Sequence, residues 1–176
     1  CITATGQVAQ CCADARRGEC RVFLDCPAHV DGIEWGDWRP AGLCRTVVAS
    51  AWFGVSLPAG HILIQHDAWL HEVATPVVPE LVAARVAGYR ECCYGLPEEC
   101  FPLLFRHPEC AGILISATDL GMFIRRRFAP YGDWQTVIGR ILGFLAGNDS
   151  VVPVSWNVPV HPAYAAAGPL PSDAEE

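Results

Sequence analysis

The sequence predicts a disulfide-rich α+β fold, with a strand-and-loop N-terminal lobe and a more helical C-terminal half. Three observations predict it. Ten cysteines fall in two groups: Cys1, Cys11, Cys12, Cys20, Cys26 and Cys44, then Cys92, Cys93, Cys100 and Cys110. Turn-forming residues crowd the first group, whereas clear helical spacing appears only late in the chain. Apolar residues make up 52% and charged residues 18%, which is core material for one domain rather than the composition of a disordered chain.

The elements follow in order. Residues 1–57 form the Cys-rich part. Gly32, Gly36, Pro40 and Gly42 punctuate its first 45 residues, with Trp35 and Trp38 between them, and predict short strands and loops held by disulfides. Leu43 to Leu57 is continuously apolar and fits a buried strand or a buried helix equally well. Pro58-Ala59-Gly60 is a turn, and His61 to Val73 follows with mixed character. Residues 58–160 are read as mainly helical. Pro79 opens a helix to about Cys92, with Glu80 at its positive end. Gly95 to Pro108 holds three prolines and is expected to loop. Residues 110–128 read as an apolar helix ending in Arg125-Arg126-Arg127.

The plainest helix is Asp133 to Ala146, with Asp133 as N-cap and Gly147 as C-cap. Trp134, Val137, Ile138, Ile141, Leu142 and Leu145 then share one face. Val151 to Val160 reads as extended, and residues 161–176 as a disordered Ala/Pro/acidic tail.

Composition narrows the function. Net charge is −7, so the chain lacks the basic face that nucleic acid requires. All twelve basic residues are arginine, which removes lysine chemistry. The even cysteine number and the spacings point to a disulfide framework, hence to an extracytoplasmic compartment. The vicinal pairs Cys11-Cys12 and Cys92-Cys93 are strained as self-bridges, so each member is expected to take a separate partner. No Met precedes Cys1, which suggests a mature segment cut from a precursor. Asn148-Asp149-Ser150 is a glycosylation sequon placed just past a helix end, with Asn148 as acceptor.

Zinc ligation needs C-x₂₋₄-C pairs or paired histidines. The cysteine intervals do not supply them, and His61, His66 and His71 recur about 140° apart on a helix. No metal or cofactor is expected. A cysteine nucleophile is the enzymatic alternative: Cys93 precedes Tyr94, and His161 lies downstream in the order of papain-like viral proteases, with Cys44 a second candidate. The preferred reading is non-enzymatic.

The segment from Cys110 to Ile124 is apolar, interrupted by Asp119, and too short to span a bilayer. It fits a buried core segment or one that inserts into a leaflet. Ala111, Gly112, Ile113, Leu114, Ile115, Leu120, Gly121, Met122, Phe123 and Ile124 are the membrane-active candidates.

Cys1, Gly6-Gln7, Cys11-Cys12, Cys20 and Cys26 together resemble the start of the smaller envelope glycoprotein of pegiviruses, relatives of hepaciviruses. Residues 110–121, the following arginines and Ala129-Pro130 are similar to that family's internal hydrophobic segment. Trp134 and residues 154–159 resemble the aromatic region before its membrane anchor. The resemblance implies a virion envelope protein, matured in the ER lumen, that pairs with the larger envelope glycoprotein and acts in attachment or fusion at a viral or target membrane. Two features depart from the family pattern: the C-terminal anchor is absent, and there is one sequon where hepacivirus relatives carry several. Membrane insertion would gain roughly 25 cal/mol per Å² of apolar surface buried. On that expectation, Asp at Ile113 or Ile115 abolishes fusion and spares folding. His61, His66, His71 and His107 are candidate pH sensors. A secreted immune-evasion protein that binds a host ligand would share the disulfides without the membrane segment.

Overall fold

A computed structural model describes residues 5–86, 101–121, 133–148 and 150–154. The fold is α+β, with a six-stranded mixed sheet and a helix near the C-terminus. Helix α1 is Thr5–Arg16, followed by strands β1 (Val22–Asp25) and β2 (Trp35–Val48). A 3-10 turn at Ala51–Phe53, capped by Ser50, leads to β3 (Ile62–Val73). A second 3-10 turn at Pro79–Leu81 leads directly into β4 (Val82–Val86). Strands β5 (Pro102–His107) and β6 (Cys110–Ser116) precede helix α2 (Asp133–Leu145). The sheet order is β1-β6-β5-β4-β2-β3, with β1 parallel to β6 and the other pairs antiparallel.

The sheet is buried on both faces at β5 and along most of β6. Leu104 and Leu114 join Trp134, Val137, Ile141 and Phe144 of α2 in one apolar cluster. Phe105, Ile113 and Ile115 belong to the other, with Ala15 of α1 and the loop residues Val30 and Ile33. A strand covered on both sides loses the alternation that marks a half-buried one. That is why residues 110–116 are a strand where the apolar run suggested a helix.

The sheet also curls back on itself. Past β6, Thr118 bridges to Leu70 on the outer edge of β3, and the amide of His71 donates to the Ala117 carbonyl at 2.8 Å. Thr118 Oγ1 donates to the Trp69 carbonyl at 3.0 Å. An otherwise open edge is thereby partly paired, the usual remedy for an exposed strand. In step with the curl, the buried residues of β3 change parity, from Leu63 and Gln65 to Ala68 and Leu70.

Several sequence expectations are corrected. Residues 5–16 are helical rather than strand and loop. The helix expected from Pro79 stops after one turn, because Val82, Ala83 and Ala84 are buried between β2 and β5; its part beyond residue 86 lies outside the described residues. Within the looped segment, residues 102–107 form a buried strand. Residues 122–128 and 155–176 fall outside the described residues. β2 runs through Gly36, Pro40 and Gly42. Its described pairing with β4 is confined to Thr46–Val48, so Pro40 lies where only β3 is a neighbour, as strands tolerate.

Helix α2 ends as expected, with Gly147 at φ +81°. Asp133 stands inside its first turn, and its carboxylate accepts from His61 Nε2 at 2.7 Å. The buried face is rotated from the expected one, leaving Leu142 and Leu145 exposed and bringing in Arg140 and Phe144. Gly139 and Gly143 explain the rotation. The chain returns across them, with the Val152 amide bonded to the Gly139 carbonyl and that of Asn148 to the Gly143 carbonyl. A Cβ at either glycine would collide with the backbone oxygen of Val152 or Ser150.

Candidate functional site

The β2–β3 hairpin carries the largest exposed aromatic surface among the described residues. Trp38 pairs with His71 and Pro40 with Trp69, so Trp38 and Trp69 are diagonal neighbours on one face of the hairpin. They are 47% and 54% exposed. His71 is buried between two indoles, its ring 4.2 Å from Trp38 and 4.3 Å from Trp35, nearly parallel to both. Its Nδ1 lies 3.1 Å from the Pro27 carbonyl. The stack fixes the Trp38 ring, and the ion pair of Arg39 with Glu72 ties the two strands at the same level. An indole held this way loses little rotamer freedom on binding.

A second grouping joins α1, the loop after it and β6. Gly18, at φ +77°, reverses the chain so that Cys20 returns beside the helix, its Sγ 3.6 Å from the Cys11 carbonyl. Cys12 packs with Ala15 and Cys110 in the cluster beneath α1. Burial raises the Cys12 thiol, Arg16 draws it back, and Cys11, Asp31 and Cys110 raise it further. Burial also raises Cys20, reinforced by Asp14 and Cys11.

The remaining cysteines are placed separately. Cys26 takes a left-handed backbone, φ +46°, and burial beside Asp25 and Asp119 pushes its thiol up to about 12. Cys44 lies in the cluster under α2, where burial pushes its thiol up to about 11. Its Sγ faces the Arg45 carbonyl and the Thr46 hydroxyl, each at 3.8 Å. A thiol held protonated in this way is not the activated nucleophile that catalysis requires. Cys11, Cys12, Cys20, Cys26, Cys44 and Cys110 all stand as free thiols in this structure. Cys1, Cys92, Cys93, Cys100 and His161 lie outside the described residues, and with them the papain-like pair.

Of the membrane-active candidates, Ile113, Leu114, Ile115, Leu120 and Gly121 are buried, Gly112 is partly covered and Ala111 is exposed. The Asp25 carboxylate accepts from the Leu120 and Gly121 amides at 2.8 and 2.6 Å, anchoring the chain after β6. Met122, Phe123 and Ile124 lie outside the described residues. Asn148 is exposed past the α2 cap, and its Oδ1 accepts from the Ser150 amide at 3.1 Å and hydroxyl at 2.8 Å. The carboxamide oxygen is thereby occupied, leaving its nitrogen as the end that would carry a glycan.

His107 is buried, with Nε2 2.7 Å from the Asp31 carbonyl and Nδ1 accepting from the Glu109 amide at 3.1 Å. Those bonds assign Nδ1 as the acceptor and leave Nε2 as the donor toward the Asp31 carbonyl. His66 is described only by its backbone pairing with Leu43. Among the described residues, no group of His, Cys, Asp and Glu side chains forms a metal site. None of their helices is long and apolar enough to cross a membrane. A shallow cavity of about 250 Å³ lies between the Ser50–Trp52 turn and β4, with Arg106 and Leu114 on its wall.

Comparisons with protein-family models, curated proteins and solved structures give no match. The tryptophan pair was not legible as a surface from the sequence, because the pairing that makes it crosses more than thirty residues. The thiol grouping was hidden for the same reason.

Proposed function

We propose that the chain is the ectodomain of a viral envelope glycoprotein of the pegivirus kind, which acts in entry by binding the larger envelope glycoprotein through the β2–β3 hairpin. The observation that carries this reading is the tryptophan pair, half exposed and backed by the Trp35–His71–Trp38 stack. Tryptophan is among the residues that most often anchor protein interfaces, and a rigid indole anchors best. Covering the open half of each ring is worth about 2 kcal/mol. The exposed sequon at Asn148 and the cysteine content support an extracytoplasmic site of action. The resemblance of residues 1–26 and 110–121 supplies the family.

On this reading the hairpin, rather than residues 110–124, is the contact surface of the folded domain. Any membrane activity of that segment belongs to a rearranged state in which β6 has left β1 and β5.

The test is co-expression in mammalian cells with the larger glycoprotein encoded beside it. Trp69→Ser, and the double variant with Trp38→Ser, are expected to lower the co-purified partner by more than about tenfold while secretion of the chain is unchanged. Undiminished partner with both variants overturns the reading. Trp69→Ser is the cleaner of the two, since Trp69 takes no part in the histidine stack.

A further inference from the structure

We infer that the oxidised protein joins Cys11 to Cys20 and Cys12 to Cys110, two disulfides that fasten α1 across β6. Its occurrence in the cell rests on the extracytoplasmic reading above; the pairing itself rests on geometry.

Helix α1 has little else to hold it. Of its described side chains only Ala15 is buried, and Val8, Cys11, Cys12, Ala13 and Asp14 are partly covered. A twelve-residue helix is marginal in water without tertiary support. Yet its cysteines stand at the point where three pieces of chain converge. Around Gly112 of β6, a Cβ would meet the Ala15 carbonyl at 3.3 Å, the Cys20 carbonyl at 3.5 Å and Cys110 Sγ at 3.7 Å. Helix, loop and strand therefore lie within a side chain's width of one another.

The helix then assigns the partners. Consecutive residues leave an α-helix about 100° apart, so Cys11 and Cys12 address different neighbours. Cys11 has Cys20 alongside, brought back by the turn at Gly18, while Cys12, one position round the helix, packs against the cluster that contains Cys110. A vicinal pair thus ties one point of α1 to its own return loop and to the sheet.

Each bond forms by thiol–disulfide exchange with an oxidised disulfide, either that of a dithiol oxidase or glutathione disulfide. One cysteine thiolate attacks a sulfur of the oxidant, displaces a thiolate and leaves a mixed disulfide. The second cysteine attacks that bond and releases the other oxidant thiol. Two protein thiols lose two protons and two electrons, and one oxidant disulfide becomes two thiols.

Trypsin separates the partners, because Arg16, Arg17, Arg21, Arg106 and Arg125 bound the peptides 1–16, 18–21 and 107–125. Fragmentation within 1–16 tells Cys11 and Cys12 apart from each other and from Cys1, which the same peptide carries. Protein secreted from mammalian cells is blocked with N-ethylmaleimide at acid pH and digested without reduction. A second sample is first reduced, unfolded and refolded in glutathione with glutathione disulfide. The expected product in both is a species in which Cys11 of 1–16 is bonded to 18–21 and Cys12 of 1–16 to 107–125, any partner of Cys1 being joined through its own bond. With Cys12→Ser and Cys110→Ser together, the link of 1–16 to 18–21 survives. With Cys11→Ser and Cys20→Ser together, the link of 1–16 to 107–125 survives. A direct link of 18–21 to 107–125, or of Cys20 or Cys110 to any other cysteine, overturns the pairing. Free thiols at these positions in the secreted sample, with the expected links after refolding, support the pairing and overturn the extracytoplasmic reading. Free thiols in both samples overturn the pairing.

Discussion

Ile113 and Ile115 are both 0% exposed, and their substitution therefore reports on folding before it reports on membranes. A carboxylate at either site would sit unpaired among Ala15, Phe105 and Ile33, in the cluster opposite α2. The cost is on the order of 4 kcal/mol or more, against a total stability of roughly 5–15 kcal/mol for a domain. Ile115→Asp is accordingly expected to be retained and degraded in the producing cell. Normal secretion with a selective loss of fusion would instead restore the sequence expectation of an expendable membrane segment. Gly143 gives a milder case. Ala favours a helix over Gly by about 1 kcal/mol, yet its Cβ would run into the Ser150 carbonyl and push the sequon loop away. Net destabilisation of about 1–2 kcal/mol should lower Tm by several degrees relative to the exposed control Leu142→Ala. A Tm at or above wild type would show that the loop is not seated on α2.

At the level of elements, legibility tracked how each one is buried. Helix α2 packs one stripe against the sheet, so Trp134, Val137 and Ile141 kept their helical spacing and Gly147 marked its end. Strand β6 is covered on both faces, and a run such as Ile113-Leu114-Ile115 has no period to read. Helix α1 went unread for the opposite reason, since it buries too little to imprint any pattern. Its stability is therefore expected to come from its staples. A bridge from Cys12 to Cys110 closes a loop of about a hundred residues, worth ~4–5 kcal/mol in chain entropy, and one from Cys11 to Cys20 somewhat less. Hydrogen exchange of the oxidised protein should show α1 amides protected, with protection falling at least tenfold in the Cys12→Ser, Cys110→Ser variant while α2 changes less. Equal loss in both helices would mean that the bridge supports the whole domain rather than α1.

Across the whole molecule, the curled sheet separates two kinds of apolar residue. Those of β5 and β6 are enclosed between α1 and α2, whereas Trp38 and Trp69 are held outward on the hairpin. The first set gives the domain its core, and the second is the face proposed to meet a partner. The sequence carried the α+β class and the sequon. It could not carry the hairpin face or the thiol grouping, because each depends on contacts between residues remote in the chain. The central claim is an oxidised, glycosylated ectodomain, and one measurement addresses it most directly: the intact mass of the protein secreted from mammalian cells, alkylated with and without prior reduction. The account predicts that most of the ten cysteines resist alkylation until reduced, and that a glycan is present which disappears in Asn148→Gln. Ten alkylated thiols without reduction, and no glycan, would contradict it.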